Sequence, residues 1–320
     1  MAAPFSFNTL RVMAFFMPFL VLGHVSSLVF RYHVQPHPFG AALHKASAFP
    51  CQQGRRSVIT PLSAQSPASE ASNSYHASKR LSREKGQSAM DKYLIPKTEY
   101  GDRIGLGRDA QGFDESSGLI DPDDPRLSTT YGEFPLSSMD QLIDLGLKRL
   151  DRIEGGITMV DLGSGCGRLI FYSGLTRGDE EQPWKIHGIE IADILHDEAM
   201  VAASKGLEGG YLSNDLEGPQ NSISLHHGPV HNYRHILGAG DLVFAYSTAF
   251  PAKAFNPDLG AVILDAEWSQ LLSESCKAGC IAITTDRALD PGHGWKLIDR
   301  LDVENSEVFG STGYIHVLGS

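Results

Sequence analysis

The sequence predicts a doubly wound α/β domain on a mainly parallel, seven-stranded sheet that ends in an antiparallel pair. Three observations carry this expectation. Short apolar runs alternate with helical patterns from Ile157 to Thr285, the sequence form of strands joined by helices on both faces of a sheet. The first run leads straight into a glycine-rich turn, Gly163-Ser-Gly165-Cys-Gly167. The last two apolar runs are separated by turn residues alone.

Taken in order, Ile157 to Leu162 is the first strand, Arg168 to Thr176 a helix, and Trp184 to Glu190 the second strand. Ile194 to Lys205 is the next helix, Ser222 to His226 a weaker third strand, and Asp241 to Tyr246 a clear fourth. Leu264 to Lys277 has helical periodicity, and Cys280 to Thr285 is the fifth strand. Trp295 to Leu301 and Tyr314 to Leu318 complete a Rossmann-like set of seven. Upstream, Met139, Leu142, Ile143, Leu145, Leu147 and Leu150 fall on helical spacing. Ser137, Ser138 and Asp140 are that helix's cap candidates, and Gly155-Gly156 its end. Residues 91 to 128 are rich in Gly, Asp and Pro without a period, which predicts an irregular arm. Gly105-Leu-Gly107 is not a nucleotide fingerprint there, because no strand precedes it and no helix is predicted after it. The expected organisation is a targeting presequence over 1–90, an arm and lid helix over 91–155, and a ligand-binding domain over 156–320.

The first 90 residues differ in composition from the rest. Val12 to Leu22 is an apolar run of eleven residues, too short for a bilayer span but the length of a signal-peptide core. A signal anchor is the second choice. Ala46-Ser-Ala48 before Phe49 is a small-residue cleavage pattern, and residues 49 to 90 hold nine Ser and six Lys or Arg against two acids. This resembles the bipartite presequence of secondary, red-lineage plastids, a resemblance that implies plastid import. A cut near Val25-Ser26-Ser27, a secretory fate, and a nuclear location without any signal stay open.

Charge narrows the partners. The chain carries -11 overall, yet residues 91 to 320 contain 18 basic and 36 acidic side chains. Nucleic-acid binding rests on Lys and Arg neutralising phosphates, so direct binding of DNA or RNA is not expected. Cys51, Cys166, Cys276 and Cys280 lack metal-site and paired spacing, so neither a metal site nor a disulfide framework is expected.

The glycine turn carries the chemistry. Glycines at 163, 165 and 167 let backbone pass close under a ligand where a Cβ would clash. Dinucleotide folds use G-x-G-x-x-G with a pyrophosphate at the helix N-terminus, and the spacing here differs. The acid stands before the glycines, where Asp161 can reach the ammonium end of a methionine-like ligand or orient the loop amides. Glu190 ends the next strand, 29 residues on, where a carboxylate can accept both ribose hydroxyls. No acid follows the third strand. His227-Gly-Pro-Val230 stands there, so backbone or Asn232 is left to hold an adenine ring.

Together, Asp161-Leu-Gly-Ser-Gly-Cys-Gly167 and Glu190 in this order of elements resemble the class I S-adenosylmethionine-dependent methyltransferases. Thr130-Tyr-Gly-Glu133 and Tyr246-Ser-Thr-Ala-Phe250 extend the likeness, over about 129 to 290, to the non-SET histone-lysine methyltransferases of the disruptor-of-telomeric-silencing family. That resemblance implies that Tyr131 and Glu133 close over the cofactor and that the fourth-strand segment lines a substrate-lysine channel. Ala249 and Phe250 match directly, whereas Tyr246-Ser247-Thr248 replaces the family's Asn-Asn-Phe. The implied cofactor residues are Tyr131, Glu133, Asp161, Gly163, Ser164, Gly165, Gly167 and Glu190, with Tyr246 and Glu133 as catalytic candidates. The implied activity is methyl transfer from S-adenosyl-L-methionine to a protein lysine. Histone is not the first choice, given the acidic domain and the presequence. A small-molecule O- or N-methyltransferase and an inactive interaction module remain alternatives, and oligomeric state stays open.

Overall fold

The computed structural model describes residues 73–111, 130–150, 156–215 and 220–319. They lie in one compact unit, Gln65–Ser320. The presequence features up to Phe49 fall outside the described residues. The fold begins before the expected boundary at 90: β1 (Asn73–Ala77) and α1 (Arg83–Ala89) both belong to it. β1 pairs antiparallel with what would otherwise be the open edge of the parallel sheet, which removes a row of unpaired backbone groups.

Over its described residues, 91–111, the arm is not irregular. Tyr100–Gln111 forms α2, although it contains Gly101, Gly105 and Gly107 and lacks an apolar period. Tertiary contacts hold it instead. Arg103 is buried in an ion pair with Glu133, and a Cβ on Gly107 would come within 2.4 Å of Tyr131 Cβ. The next helix, α3, runs Leu136–Leu147 behind Pro135. Neither Ser138 nor Asp140 caps it. Ser138 Oγ donates to the Glu304 carbonyl, and Asp140 is buried against Arg177 and Tyr172.

The core then alternates as β2 (Thr158–Leu162), α4 (Arg168–Thr176), β3 (Lys185–Glu190) and α5 (Asp193–Glu208). It continues with the two-residue β4 (Leu212–Ser213), β5 (Ser222–His227), α6 (Arg234–Ala239) and β6 (Leu242–Ala245). A hairpin that the sequence reading missed follows, β7 (Ala252–Asn256) with β8 (Ala261–Leu264), and forms its own two-stranded sheet. The chain ends with α7 (Ala266–Ser275), β9 (Ile281–Thr285), β10 (Trp295–Val303) and β11 (Ser311–Leu318).

The main sheet has nine strands rather than seven, in the order β10-β11-β9-β6-β2-β3-β5-β1-β4. Its five central strands are parallel, and β11 runs antiparallel to both β9 and β10. The two extra strands are β1 and β4, contributed by residues that a pattern search has no reason to pair. One core cluster packs α3, α4 and α5 on one face, and a second packs α6 and α7 on the other. The chain leaves β2 towards β3 on one side and later returns to β6 on its other side. In open α/β sheets the crevice at such a reversal, outside the carboxyl ends of the strands, is where ligands bind.

Candidate functional site

A cavity of about 340 Å³ opens at that carboxyl edge. Its floor is the turn after β2. Gly163, Gly165 and Gly167 all have positive φ, of 70°, 53° and 82°. A Cβ on Gly165 would sit 2.8 Å from the Tyr131 ring, so glycine there serves both conformation and close approach. The turn is pinned to the tip of β3: the Gly163 and Ser164 amides donate to the Ile189 carbonyl at 2.9 and 3.1 Å, and the Gly165 amide donates to Glu190 Oε2 at 2.7 Å.

Asp161 and Glu190 face this floor from adjacent strands, and both are buried. Glu190 accepts the Gly165 amide on Oε2 and the Ala192 amide on Oε1 at 2.8 Å, and the Ile191 amide also bonds its carboxylate, which leaves about one acceptor site over. Burial pushes its pKa up, and the amide donors work against that shift. Asp161 is placed differently. Its Oδ2 is buried without a hydrogen-bond partner, and burial, reinforced by the neighbouring Glu190 charge, holds its carboxyl well above the usual carboxylate range.

The opposite wall is the strap 130–134. Glu133 Oε1 accepts from Arg103 Nε at 2.7 Å and from the Tyr131 hydroxyl at 2.9 Å, while Arg168 Nε stands 3.4 Å from Oε2. With the Tyr131 proton spent on Glu133, the Cys166 thiol is the donor in its 2.8 Å contact with the Tyr131 oxygen. Burial pushes that thiol up to about 11. So the structure makes Glu133 a tightly held strut between two buried arginines. Arg168 also donates to the Phe134 carbonyl at 3.1 Å and to Asp91 at 3.0 Å.

Of the fourth-strand segment, Tyr246 and Phe250 line the cavity. Ser247 and Thr248 turn away towards β9, where they bond Thr285 and Asp286. Tyr246 packs against Phe134 at 5.1 Å between ring centres, and burial raises its pKa. After β5, Gly228, Pro229, Val230 and His231 reach the cavity, whereas Asn232 is not among its lining residues. Ile191 lines it while 53% exposed, and Phe250 and Trp268 stack at 4.8 Å on the far side.

Seven of the eight expected cofactor residues thus meet at one cavity, and the eighth, Gly167, packs against Phe171. Arg103, Arg168, Glu267 and Trp268 were missed. Arg168 is a charged side chain opening an apolar helix, a signal that could have found it. Arg103 gave none, because its helix has no pattern. Cys166, Cys276 and Cys280 are free and buried, and no group of three His, Cys, Asp or Glu among the described residues could hold a metal. No described helix is long and apolar enough to cross a membrane.

The fold and site define a Rossmann-like α/β protein with an acidic ligand cavity at its topological switch point. No family model and no curated protein matches the chain. Solved structures similar to it include the magnesium protoporphyrin IX methyltransferase of Synechocystis with bound SAM, at 14% identity over 70% of this chain and 97% of that one, TM-score 0.38. The M1A22 tRNA methyltransferase TrmK of B. subtilis is 14% identical over 59% and 68%, TM-score 0.34. The rRNA methyltransferase AviRa of Streptomyces viridochromogenes is 14% identical over 58% and 86%, TM-score 0.35.

Proposed function

We propose that the chain is an S-adenosylmethionine-dependent methyltransferase whose acceptor is a protein amine, most specifically a lysine side chain. The observation that carries this is the unpartnered Oδ2 of buried Asp161 beside the glycine turn. A buried carboxylate without a partner is costly, and a cationic ligand relieves that cost. The donor's chemistry fits the residues present. Asp161 answers its ammonium group, the remaining acceptor site of Glu190 answers a ribose hydroxyl, and Ile191 with the Phe250–Trp268 pair offers apolar walls to a base. The volume falls within the range of small-molecule sites, roughly 300 to 1,000 Å³.

When bound, the donor supplies an electrophilic methyl on a sulfonium. The protein aligns the acceptor and excludes water, and no nucleophilic residue is required. The strap 130–134 and Tyr246 do this work, with Glu133 and its arginines keeping the strap in place. The disruptor-of-telomeric-silencing likeness supports the lysine reading through Tyr131, Glu133, Ala249 and Phe250. One observation favours a small-molecule acceptor as second reading: Thr130 to Phe134 form a wall of the cavity, as such an enzyme needs. Plastid import of the mature enzyme belongs to the same proposal and rests on the presequence alone.

The test is calorimetric titration with S-adenosylmethionine of the wild type, Asp161→Ala and Glu190→Ala. Binding near the micromolar range should weaken by about 100-fold or more in each variant. A folded wild type that binds no donor overturns the proposal, and a scan of protein and small-molecule acceptors then separates its two readings.

A further inference from the structure

The β10–β11 connection contacts the lining residues Tyr246, Gly132 and Glu133 through two side chains that no sequence pattern singled out and that are not themselves part of the lining. Asn305 is buried and donates from Nδ2 to the Tyr246 hydroxyl oxygen at 3.1 Å and to Ser311 Oγ at 2.9 Å. Its Oδ1 accepts the Glu307 backbone amide at 3.1 Å.

Glu307 is divided between two tasks. Its Oε1 accepts the Glu133 amide at 2.8 Å and the Tyr100 hydroxyl at 2.5 Å, which ties down the strap and the start of α2. Its Oε2 makes one long contact, 3.4 Å to the Tyr246 hydroxyl. That oxygen lies so near the strap that a Cβ on Gly132 would come within 2.6 Å of it. Gly132 and Tyr246 both line the cavity, and Glu307 is exposed. One oxygen therefore holds the architecture, while the other sits beside Gly132 and Tyr246 with acceptor capacity to spare.

The surroundings favour a cation there. The lining includes Asp161, Glu190, Glu133 and Glu267, with Arg168 its one Lys or Arg, and Arg168 is itself paired to Asp91 and Glu133. Beside Glu307 the wall is aromatic, with Tyr246 against Phe134. A carboxylate next to an aromatic face binds an ammonium through a charge-assisted hydrogen bond and through attraction to the ring.

We infer that Glu307 Oε2 and the Tyr246 ring are the recognition point for the acceptor, which is a primary ammonium on an apolar stem. This rests on the methyl-transfer reading of the cavity. A hydroxyl acceptor gains little from the carboxylate's charge, so Glu307 selects amines over alcohols. Asn305 is a positioning residue that fixes the Tyr246 oxygen and the Glu307 backbone together.

The test titrates the full chain with n-butylammonium chloride and, as a neutral probe, 1-butanol, followed by NMR with and without S-adenosylhomocysteine. Glu307→Gln keeps an oxygen for the Tyr100 and Glu133 donors, removes the charge and replaces the Oε2 acceptor with an NH2 donor. It should weaken butylammonium by about tenfold or more while leaving 1-butanol within about twofold and S-adenosylhomocysteine unchanged. Tyr100→Phe, which loosens the strap without changing charge, should retain the preference for butylammonium. Unchanged butylammonium affinity in Glu307→Gln, or equal loss of both probes, overturns the inference. Failure of S-adenosylhomocysteine to bind at all sinks the methyl-transfer reading instead, and the charge-selective response at Glu307 still reads out without the nucleoside.

Discussion

The two walls of the cavity treat buried acids in opposite ways. On the glycine wall, Asp161 is buried with an oxygen that nothing satisfies. On the strap wall, the Glu133 side chain is nearly as covered but is gripped by Arg103, Arg168 and Tyr131. The first arrangement costs stability and leaves a valence for a ligand. The second locks the strap against α2 and α4 and leaves Glu133 little freedom for chemistry. Burial alone therefore does not mark a binding residue; Asp161 stands apart because its unpartnered oxygen belongs to a residue that lines the cavity.

The sharpest way to break this comparison is to remove one partner on each wall. Arg103→Met leaves Glu133 with the Tyr131 hydroxyl and, as its only cation, Arg168 at 3.4 Å, and it should destabilise the protein by about 3 kcal/mol or more, measured by denaturant unfolding. Asp161→Asn should do the reverse, leaving stability unchanged or raising it by up to about 1 kcal/mol while donor affinity falls. Equal destabilisation by both would show that the walls are alike after all.

A smaller effect is expected at Gly165. Gly165→Ala introduces a Cβ at a φ of 53°, 2.8 Å from the Tyr131 ring. The left-handed conformation alone costs about 1 to 2 kcal/mol, and the clash lifts the strap from the turn. Unfolding and donor titration should both register it, with Tyr131→Ala in the same background relieving part of the loss.

The smallest signal is a proton. Burial and the Glu190 charge favour the protonated form of Asp161 in the free protein. A cationic donor favours the ionised form, so binding should release up to about one proton and strengthen as pH rises from the ordinary carboxylate range towards the raised value. Calorimetry in two buffers of different ionisation enthalpy measures it. Proton uptake on binding, or none at all, would place the donor's ammonium elsewhere.

How far the sequence carries differs between the same two walls. Asp161, the three glycines and Glu190 were legible because β2, its turn and the tip of β3 are local: a run of apolar residues, a φ that only glycine takes easily, and an acid at a strand end. α4 is legible to both its ends, Arg168–Thr176, because every one of its side chains is buried and its start is set by Gly167 in the left-handed region. α2 was not legible. Its residues have no apolar period, and they become a helix because Arg103 finds Glu133 and Gly107 fits beneath Tyr131.

By itself, then, the sequence determined the alternating strands and helices, the glycine turn and the two acids that face it, since those depend on backbone conformation and short-range pattern. Only the tertiary structure decided that β1 and β4 widen the sheet, that Glu133 is a strut, that Ser247 and Thr248 turn from the cavity, and that Glu307 ties the strap to the start of α2. Each of those outcomes is a contact between residues far apart in the chain, and such a contact is fixed by packing and charge pairing in the folded state, which leave no period or spacing in the sequence.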